Sequence, residues 1–339
     1  MTMQSEIPER QLLSDYTGDR RQLASVRRIM LDDGPEQGQR ALAFSTGGGL
    51  DFWVLSDRSM DIGPLWFEGM PVAWQHPNGY VAPGRHDPES DGGTGIERAL
   101  SGFLVTCGLS HIRQPRDGQP LHGRLPLTPA RLNACGENWD APVPMLYAEG
   151  EMVCAHLRGM SFRLTRRIEA PIGGRSLAII DRVENIGMEP QQLQILYHTN
   201  FGFPAVGHGT TVRHNGVSRL TVQLPVPGAS LTAPQIQCHP SGDAPTFRLE
   251  LERGASGPWR GLHVSMTGPS VALPFVQLWS DPRPRRNILA LEPASSGRTA
   301  DGTSLAGPVL EPNGSWQARL DFNFSHPADS GRQEPRVEA

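Results

Sequence analysis

Three short polar segments interrupt apolar stretches of the chain and carry side chains suited to proton transfer. They are Leu121-His122-Gly123-Arg124, Tyr197-His198-Thr199-Asn200-Phe201-Gly202 and Leu289-Ala290-Leu291-Glu292-Pro293. A histidine, with an ordinary pKa of about 6.5, gives or takes a proton near neutral pH, and a carboxylate is its natural counterpart. The residue types therefore indicate general acid–base chemistry, with His198, Glu292 and His122 as the candidate groups.

Two of these segments read as β-strands, and strand geometry decides which side chains meet. Successive side chains of a strand point to opposite faces, so His198 and Asn200 share one face. Ala290 and Glu292 likewise share a face, and Glu292 lies at the end of its strand beside core residues. Apolar surroundings of this kind favour a carboxyl group that works as a base near neutral pH.

The chain contains no lysine, so its 31 basic residues are all arginine. Schiff-base chemistry and a phosphate-binding P-loop both require the lysine ammonium group and are excluded. Any anionic group of a substrate must then be bound by arginine or by the backbone. Arg124, beside His122, is the first candidate for that role and Arg58 is the second.

Composition and motif content exclude several other classes of protein. The net charge of −4 does not indicate a positively charged surface of the kind that binds nucleic acid. The sequence contains no stretch of about 18 apolar residues that would predict a membrane span. Residues 1–10 lack the apolar core of a secretory signal, and four cysteines without CxxC spacing indicate reduced thiols, so we expect a cytoplasmic protein. No HExxH or GxGxxG motif is present, and we expect neither a metal nor a nucleotide cofactor.

The pattern along the chain is typical of an all-β protein. The chain contains 38 glycines and 31 prolines, and both residue types favour turns, which predicts many short strands. A short helix or turn is predicted around residues 9–16. No repeat or linker divides the sequence, which favours one domain over residues 1–325, a disordered tail over residues 326–339, and a long functional loop over residues 76–98. Strands are predicted over residues 26–31, 40–45, 50–55, 160–170, 176–185, 193–200, 246–252, 261–266, 275–280, 287–292 and 315–324.

The order of these motifs resembles that of the galactose mutarotase (aldose 1-epimerase) superfamily, and most closely its aldose-epimerase-like branch. The resemblance covers residues 20–325. It implies a β-supersandwich with a sugar-binding cleft on one face. Besides the histidine and glutamate segments, it is carried by Asp57-Arg58-Ser59-Met60-Asp61-Ile62, Thr106-Cys107-Gly108-Leu109 and Gly297-Arg298.

The resemblance also implies an activity and roles for individual residues. Members of the superfamily interconvert the anomers of a free sugar, which assigns the base to Glu292 and the acid to His198. His122 would bind a hydroxyl or assist at the ring oxygen. Trp279 would stack on a sugar or fill the core. Candidate substrate-binding residues are Arg58, Asp61, Arg124, Asn200, Trp279 and Arg298, with Asp57 as a further one.

Two other functions fit the same residues. A carbohydrate-binding protein without turnover would use the same cleft. Alternatively, His122, His198 and Glu292 would form a two-histidine, one-carboxylate metal site for isomerase, epimerase or lyase chemistry at another carbon. Whether the sugar is neutral or anionic stays open at this point.

Overall fold

The structure of the protein is a computed structural model, and it describes residues 13, 15–157, 159–224 and 233–327. The helix or turn predicted around residues 9–16 lies mostly outside this part, although residues 13, 15 and 16 are helical. Of the predicted tail, residues 328–339 lie outside it, whereas His326 is buried and its Nε2 lies 2.9 Å from Glu68 Oε2. No helix among the described residues is long and apolar enough to cross a membrane.

The first five strands form an antiparallel meander in which each strand pairs with the next. A segment with short helical turns follows it over residues 72–103 and contains the long loop predicted over residues 76–98. Its turns are Pro83–Arg85, Ser90–Gly93 and Gly95–Arg98. The strands are β1 (Ser25–Met30), β2 (Arg40–Ser45), β3 (Leu50–Leu55), β4 (Asp61–Phe67) and β5 (Met70–Pro71). Further 3-10 turns are Arg20–Gln22, Gly34–Glu36 and Leu125–Leu127.

A second five-stranded sheet contains the histidine and glutamate segments. Its strands are β6 (Leu104–Leu109), β12 (Gln194–Phe201), β15 (Gln235–Pro240), β18 (Phe275–Asp281) and β19 (Ile288–Ala294). Their order across the sheet is β15-β18-β19-β12-β6. Every residue of β12 and β19 is buried. Because side chains alternate between faces, complete burial means that both faces of this sheet are covered at its centre.

A nine-stranded antiparallel sheet packs on the core from the other side. Its strands are β7 (Arg131–Asn138), β8 (Met145–Ala155), β9 (Ser161–Pro171), β10 (Ser176–Asn185), β13 (Thr211–His214), β14 (Val217–Thr221), β16 (Thr246–Arg253), β17 (Leu262–Pro269) and β21 (Ser315–Ser325). Their order is β14-β13-β16-β17-β21-β10-β9-β8-β7. In β9 buried and half-buried residues alternate strictly, as expected of a sheet with one face on the core. Two short strands, β11 (Gln191–Gln192) and β20 (Val309–Leu310), pair separately.

Aromatic side chains join the three large sheets in one core. The Phe103 ring lies 5.3 Å from Phe201 of β12 and 5.4 Å from Phe322 of β21, both edge to face. Phe67 of β4 lies 6.0 Å from Phe324 of β21. Such pairs contribute roughly 0.5–1.5 kcal/mol beyond the burial of their area.

The all-β prediction is confirmed, and each predicted strand has a counterpart whose ends lie within three residues of the predicted ones.

A buried ion network crosses the interior between the sheets. Arg166 of β9 is inaccessible to solvent and donates to Asp181 Oδ1 at 2.9 Å and to Asp61 Oδ1 at 2.9 Å. Thr106 of β6 donates through its hydroxyl to Asp61, and the Tyr197 hydroxyl donates to Asp181. Burial raises the pKa of Asp61 to about 6, an effect that Arg166 and the Thr106 hydrogen bonds oppose. The network fixes β4, β6, β9, β10 and β12 relative to one another.

We predict that Arg166→Met lowers the free energy of unfolding by about 3–5 kcal/mol, because it leaves two carboxylates buried without their cation. Urea unfolding followed by tryptophan fluorescence measures the loss. The control is Arg319→Met on β21, whose half-exposed side chain pairs with Asp321 at 2.8 Å and should change stability by less than about 1 kcal/mol. Equal effects of the two substitutions would contradict the prediction.

Candidate functional site

The pairing of β12 with β19 sets His198 opposite Glu292. Thr199 pairs with Leu291 and Asn200 with Ala290, so the next pair along the antiparallel ladder joins the histidine and the glutamate. His198 Nε2 lies 3.5 Å from Glu292 Oε1. The two residues are 4% and 0% exposed, so water does little to weaken their interaction.

The Glu292 carboxylate is positioned by a glutamine on the next strand. Gln277 of β18 pairs directly with Glu292, and its Nε2 donates to Glu292 Oε2 at 2.5 Å. Gln277 Oε1 in turn accepts from Arg113 Nε at 3.1 Å, which fixes the amide orientation. Glu292 Oε1 has no hydrogen-bond partner among the described residues. One carboxylate oxygen is therefore held, and the other is left for proton transfer beside His198.

The tautomer of His198 follows from its partners. Asn200 Nδ2 donates to the Gly102 carbonyl at 3.0 Å, which turns Asn200 Oδ1 towards His198. His198 Nδ1 lies 2.5 Å from that oxygen and must carry a proton, because the oxygen only accepts. In the neutral ring Nε2 then carries a lone pair, and it faces a carboxylate oxygen.

The contact lets a proton on either side chain face the other one. An imidazolium at His198 would donate through Nε2 to the carboxylate, and a protonated Glu292 would donate to the Nε2 lone pair. This arrangement suits an acid and a base that act in one step.

His122 adds a neutral hydrogen-bond donor. Its ring lies 5.4 Å from the His198 ring, nearly perpendicular to it, and its Nδ1 accepts from the Arg113 backbone N–H in a long 3.4 Å hydrogen bond. Burial, and after it the charges of His198 and Arg113, hold the pKa of His122 well below its usual value. His122 is therefore neutral with its proton on Nε2, the opposite tautomer to His198.

Trp279 and Arg298 lie at the same face of the sheet. The Trp279 ring lies 5.8 Å from the His198 ring and is partly exposed, so it offers an apolar surface at the site instead of filling the core. Arg298 is partly exposed, donates to the Gly302 carbonyl at 3.2 Å and contributes to lowering the pKa of His122. Both residues are available to a ligand beside the acid–base pair.

Arg113 is a component of the site that the sequence patterns did not reveal. Its guanidinium is 1% exposed and donates to the Ser296 and Gly297 carbonyls at 2.8 and 2.9 Å and to the Ser304 hydroxyl at 3.0 Å. Together with its bond to Gln277, these contacts tie the Glu292 support to the loop that follows β19. No motif signals this role, because every hydrogen-bond partner of the guanidinium is more than 160 residues away in sequence.

Other predicted binding residues are engaged elsewhere. The Asp61 carboxylate is occupied in the interior by Thr106 and Arg166, and Asp57 pairs with Arg40. The exposed Arg124 donates to Glu89 Oε1 at 2.7 Å and to Gln119 Oε1 at 2.7 Å, which links two surface loops. Their hydrogen bonds and ion pairs do not include His122, His198 or Glu292 in the described part of the chain.

The donor geometry does not favour a metal centre. Within residues 13, 15–157, 159–224 and 233–327, no group of three or more histidine, cysteine, aspartate or glutamate side chains is arranged to hold a metal ion. His122, His198 and Glu292 are thus neighbours without the convergent geometry of a two-histidine, one-carboxylate site.

The architecture is a β-sandwich of the fold found in galactose mutarotase-like proteins. The structure is similar to a candidate aldose 1-epimerase from Klebsiella pneumoniae, with 20% identity, a TM-score of 0.70 and coverage of 89% of this chain and 83% of the other. It is also similar to a galactose mutarotase-like protein from Clostridium acetobutylicum, with 14% identity, a TM-score of 0.58 and coverage of 89% and 98%. A galactose 1-epimerase from Lactobacillus acidophilus matches with 10% identity, a TM-score of 0.51 and coverage of 89% and 98%.

At the sequence level, the chain belongs to the family described as domain of unknown function DUF4432, whose model matches residues 36–244. No curated protein matches the chain. The structural similarity, at these identities, establishes the fold, and the chemistry has to be argued from the site itself.

We predict that the neutral rings of His122 and His198 are opposite tautomers. Nitrogen-15 spectra of histidine-labelled protein should show that the neutral ring of His122 carries its proton on Nε2 and the neutral ring of His198 on Nδ1, with His122→Gln and His198→Asn assigning the signals. As the pH falls from 8 to 6, His122 should stay neutral, because its pKa lies well below the usual value. The same tautomer in both neutral rings would contradict the tautomer assignment, and protonation of His122 near pH 6.5 would contradict its lowered pKa.

Proposed function

We propose that this protein is an aldose 1-epimerase-like enzyme that interconverts the anomers of a free sugar or sugar derivative by acid–base ring opening. The observation that carries the proposal is the buried cross-strand pair His198 Nε2–Glu292 Oε1 at 3.5 Å. The fold, which is that of galactose mutarotase-like proteins, supports the proposal at a coarser level.

The reaction needs a proton acceptor at the anomeric hydroxyl and a proton donor at the ring oxygen, two oxygens that are both bonded to C1. Glu292 removes the proton of the anomeric hydroxyl, the C1–O1 bond becomes a carbonyl, and the bond from C1 to the ring oxygen breaks. The ring oxygen takes the proton of His198. After rotation about C1–C2, the reverse steps close the ring on the other face, which returns both protons and inverts C1.

Cross-strand neighbours suit this chemistry because the two reacting oxygens are bonded to the same carbon. Directly opposed residues have Cβ atoms about 4.5–5.5 Å apart, so their side chains reach a common point. Gln277 keeps Glu292 in place, and Asn200 keeps the reactive nitrogen of His198 turned towards the same point. The neutral His122 would donate from Nε2 to a sugar oxygen, and Trp279 would pack on an apolar sugar face.

The two alternative functions receive less support. A binding protein without turnover has no need of an acid and a base held in contact by separate supporting residues. A metal-dependent isomerase or lyase would need convergent ligands, which the described histidines and carboxylates do not form. Elemental analysis of the purified protein tests the metal alternative directly.

Anomer exchange measured by NMR on a panel of free aldoses and hexuronates tests the proposal. We expect the protein to transfer magnetisation between α and β signals of at least one sugar well above the uncatalysed rate. Saturable binding of a sugar without faster exchange would favour the binding-protein alternative.

We predict that Glu292→Gln and His198→Asn each lower kcat by about 10²–10⁴-fold, because each removes proton transfer and leaves the shape of the site. Affinity for the sugar should change little. The double variant should lose much less than the product of the two single losses, since acid and base act in one step. Exchange rates and sugar titrations measure both quantities.

The chain offers a matched control for this experiment. Glu311 also precedes a proline but is exposed, so Glu311→Gln should leave kcat within about twofold. Wild-type turnover by Glu292→Gln would show that Glu292 is not the base.

A further inference from the structure

A tryptophan from outside the sheet crosses the end of β12 beside the acid–base pair. The backbone N–H of Trp74 donates to the Asn200 carbonyl at 3.2 Å, on the edge of β12 where Asn200 also donates to Phe103. The indole Nε1 donates to the Arg286 carbonyl at 2.7 Å, in the loop that leads into β19. Because β19 pairs with the other edge of β12, the Trp74 side chain passes over the end of that strand.

Gly202, directly after β12, is the residue that Trp74 covers. Side chains alternate along a strand, so position 202 shares a face with Asn200 and His198. A Cβ added at Gly202 would lie 2.9 Å from Trp74 Cα and 3.2 Å from Trp74 Cβ. Only glycine leaves room for the tryptophan at this point. The partly exposed indole therefore forms a surface on the face of the sheet that carries the acid–base pair.

The Trp74 surface is offset from the reacting groups along β12. Gly202 is four residues beyond His198, which along a strand corresponds to about 13 Å. A pyranose ring is shorter than this. Trp279, whose ring lies 5.8 Å from that of His198, is the aromatic surface for the sugar ring that reacts. Trp74 therefore offers a second aromatic surface, which suits a group attached to that ring.

A neutral hydrogen-bond donor lies beside the Trp74 ring. The His76 ring is 5.7 Å from it, and His76 Nδ1 accepts from the Asn78 N–H at 3.0 Å, so Nε2 carries the proton of the neutral ring. Burial, and after it the charge of Arg286, lowers the pKa of His76, which keeps the ring neutral near pH 7. An aromatic plane with a donor at its side matches the apolar face and the hydroxyls of a sugar.

The same loop adds positive charge. Arg286 is exposed, and its charge acts on His76 and on Asp281. The Asp281 carboxylate is already bound by Arg283, whose Nε and Nη2 donate to it at 2.7 and 2.6 Å. The loop thus satisfies its own acid and leaves the guanidinium of Arg286 to solvent, which favours an anionic ligand beside Trp74.

We propose that Trp74, His76 and Arg286 form a second sugar subsite, which binds the uronate residue next to the reducing end of an acidic oligosaccharide. The reducing-end sugar has its C1 at His198 and Glu292, so this inference rests on the proposed function for the position of that sugar. The uronate ring stacks on Trp74, and its carboxylate pairs with the guanidinium of Arg286.

The two arginines that the sequence suggests for an anionic group are not placed for this role. Arg124 is bound to Glu89, and Arg58 has no solvent exposure. No motif indicates Arg286, because Trp74, which holds its carbonyl at the site, is 212 residues away in sequence.

Calorimetric binding of uronates and their dimers tests this proposal separately from turnover. The acidic pairs are D-galacturonate and D-mannuronate, each with its 1,4-linked dimer, and the neutral dimers are galactobiose and mannobiose. The wild type should bind at least one acidic dimer roughly tenfold more tightly than its monomer, which corresponds to about 1.4 kcal/mol. It should also bind that dimer more tightly than the matching neutral dimer.

Three variants locate the second subsite. Trp74→Leu should reduce the advantage of the dimer over the monomer to less than about twofold, because it removes the stacking surface and keeps the backbone bond to Asn200. Trp74→Phe should retain part of that advantage. Arg286→Gln should lower the preference for the acidic over the neutral dimer about two- to fivefold, the range for an exposed ion pair. Because Arg286 is exposed, this variant tests the subsite even where Trp74→Leu does not fold.

The chain offers matched controls for both substitutions. Trp66→Leu removes a partly exposed tryptophan of β4 that lies between the buried Leu65 and Phe67 and so points away from the core. Arg28→Gln removes an exposed arginine of β1. Both variants should keep the full advantage of the acidic dimer.

Three results would overturn the proposal: no advantage of an acidic dimer over its monomer in the wild type, an advantage that Trp74→Leu leaves unchanged, or a preference over the neutral dimer that Arg286→Gln leaves unchanged. Failure of the proposed function is distinguishable from these. An advantage that depends on Trp74 without any anomer exchange supports the subsite and contradicts the enzyme, whereas exchange of monomers without the advantage does the reverse.

Discussion

The hydrogen-bond register between β12 and β19 is the constraint on which the site depends. It sets His198 against Glu292, and the register of β18 sets Gln277 against the same glutamate. A slip by one residue would reverse the faces of a whole strand and turn the carboxylate into the apolar core. Neither the His198–Glu292 pair nor its support would then exist, so the geometry of the candidate site derives from backbone pairing more than from any loop.

The opposite face of the same strand protects that register. Tyr197, next to His198, points into the core and donates to Asp181, which is bound by Arg166. Shifting β12 would therefore break a buried network as well as the ladder. Because the network includes residues of the nine-stranded sheet and of β4, the strand that carries His198 is held through the whole thickness of the sandwich.

Sequence patterns are informative where function depends on strand alternation and uninformative where it depends on distant packing. The strand over residues 176–185 is predicted to the residue. By contrast, β8 has no predicted counterpart, because its inward positions include the small residues Ala148 and Gly150, which weaken the alternating apolar pattern. Gly150 is small for a reason that only the folded structure shows: a Cβ added there would lie 2.6 Å from Met60 Sδ. The His198–Glu292 pair follows from residue types and motif order. Arg113 does not, since its partners come together only in the folded chain.

In a chain without lysine, three buried arginines show how partners decide the role of a cation. Arg166 has two carboxylates and serves stability. The Arg113 guanidinium donates hydrogen bonds to neutral oxygens, including that of Gln277, whose amide it orients. Because none of these acceptors is charged, the positive charge of Arg113 also acts on Glu292. Arg58 alone of the three keeps two adjacent nitrogens unpaired among the described residues. Arg166 and Arg113 both obtain their partners from the fold, so the same type of side chain links two carboxylates in one place and orients a glutamine in the other.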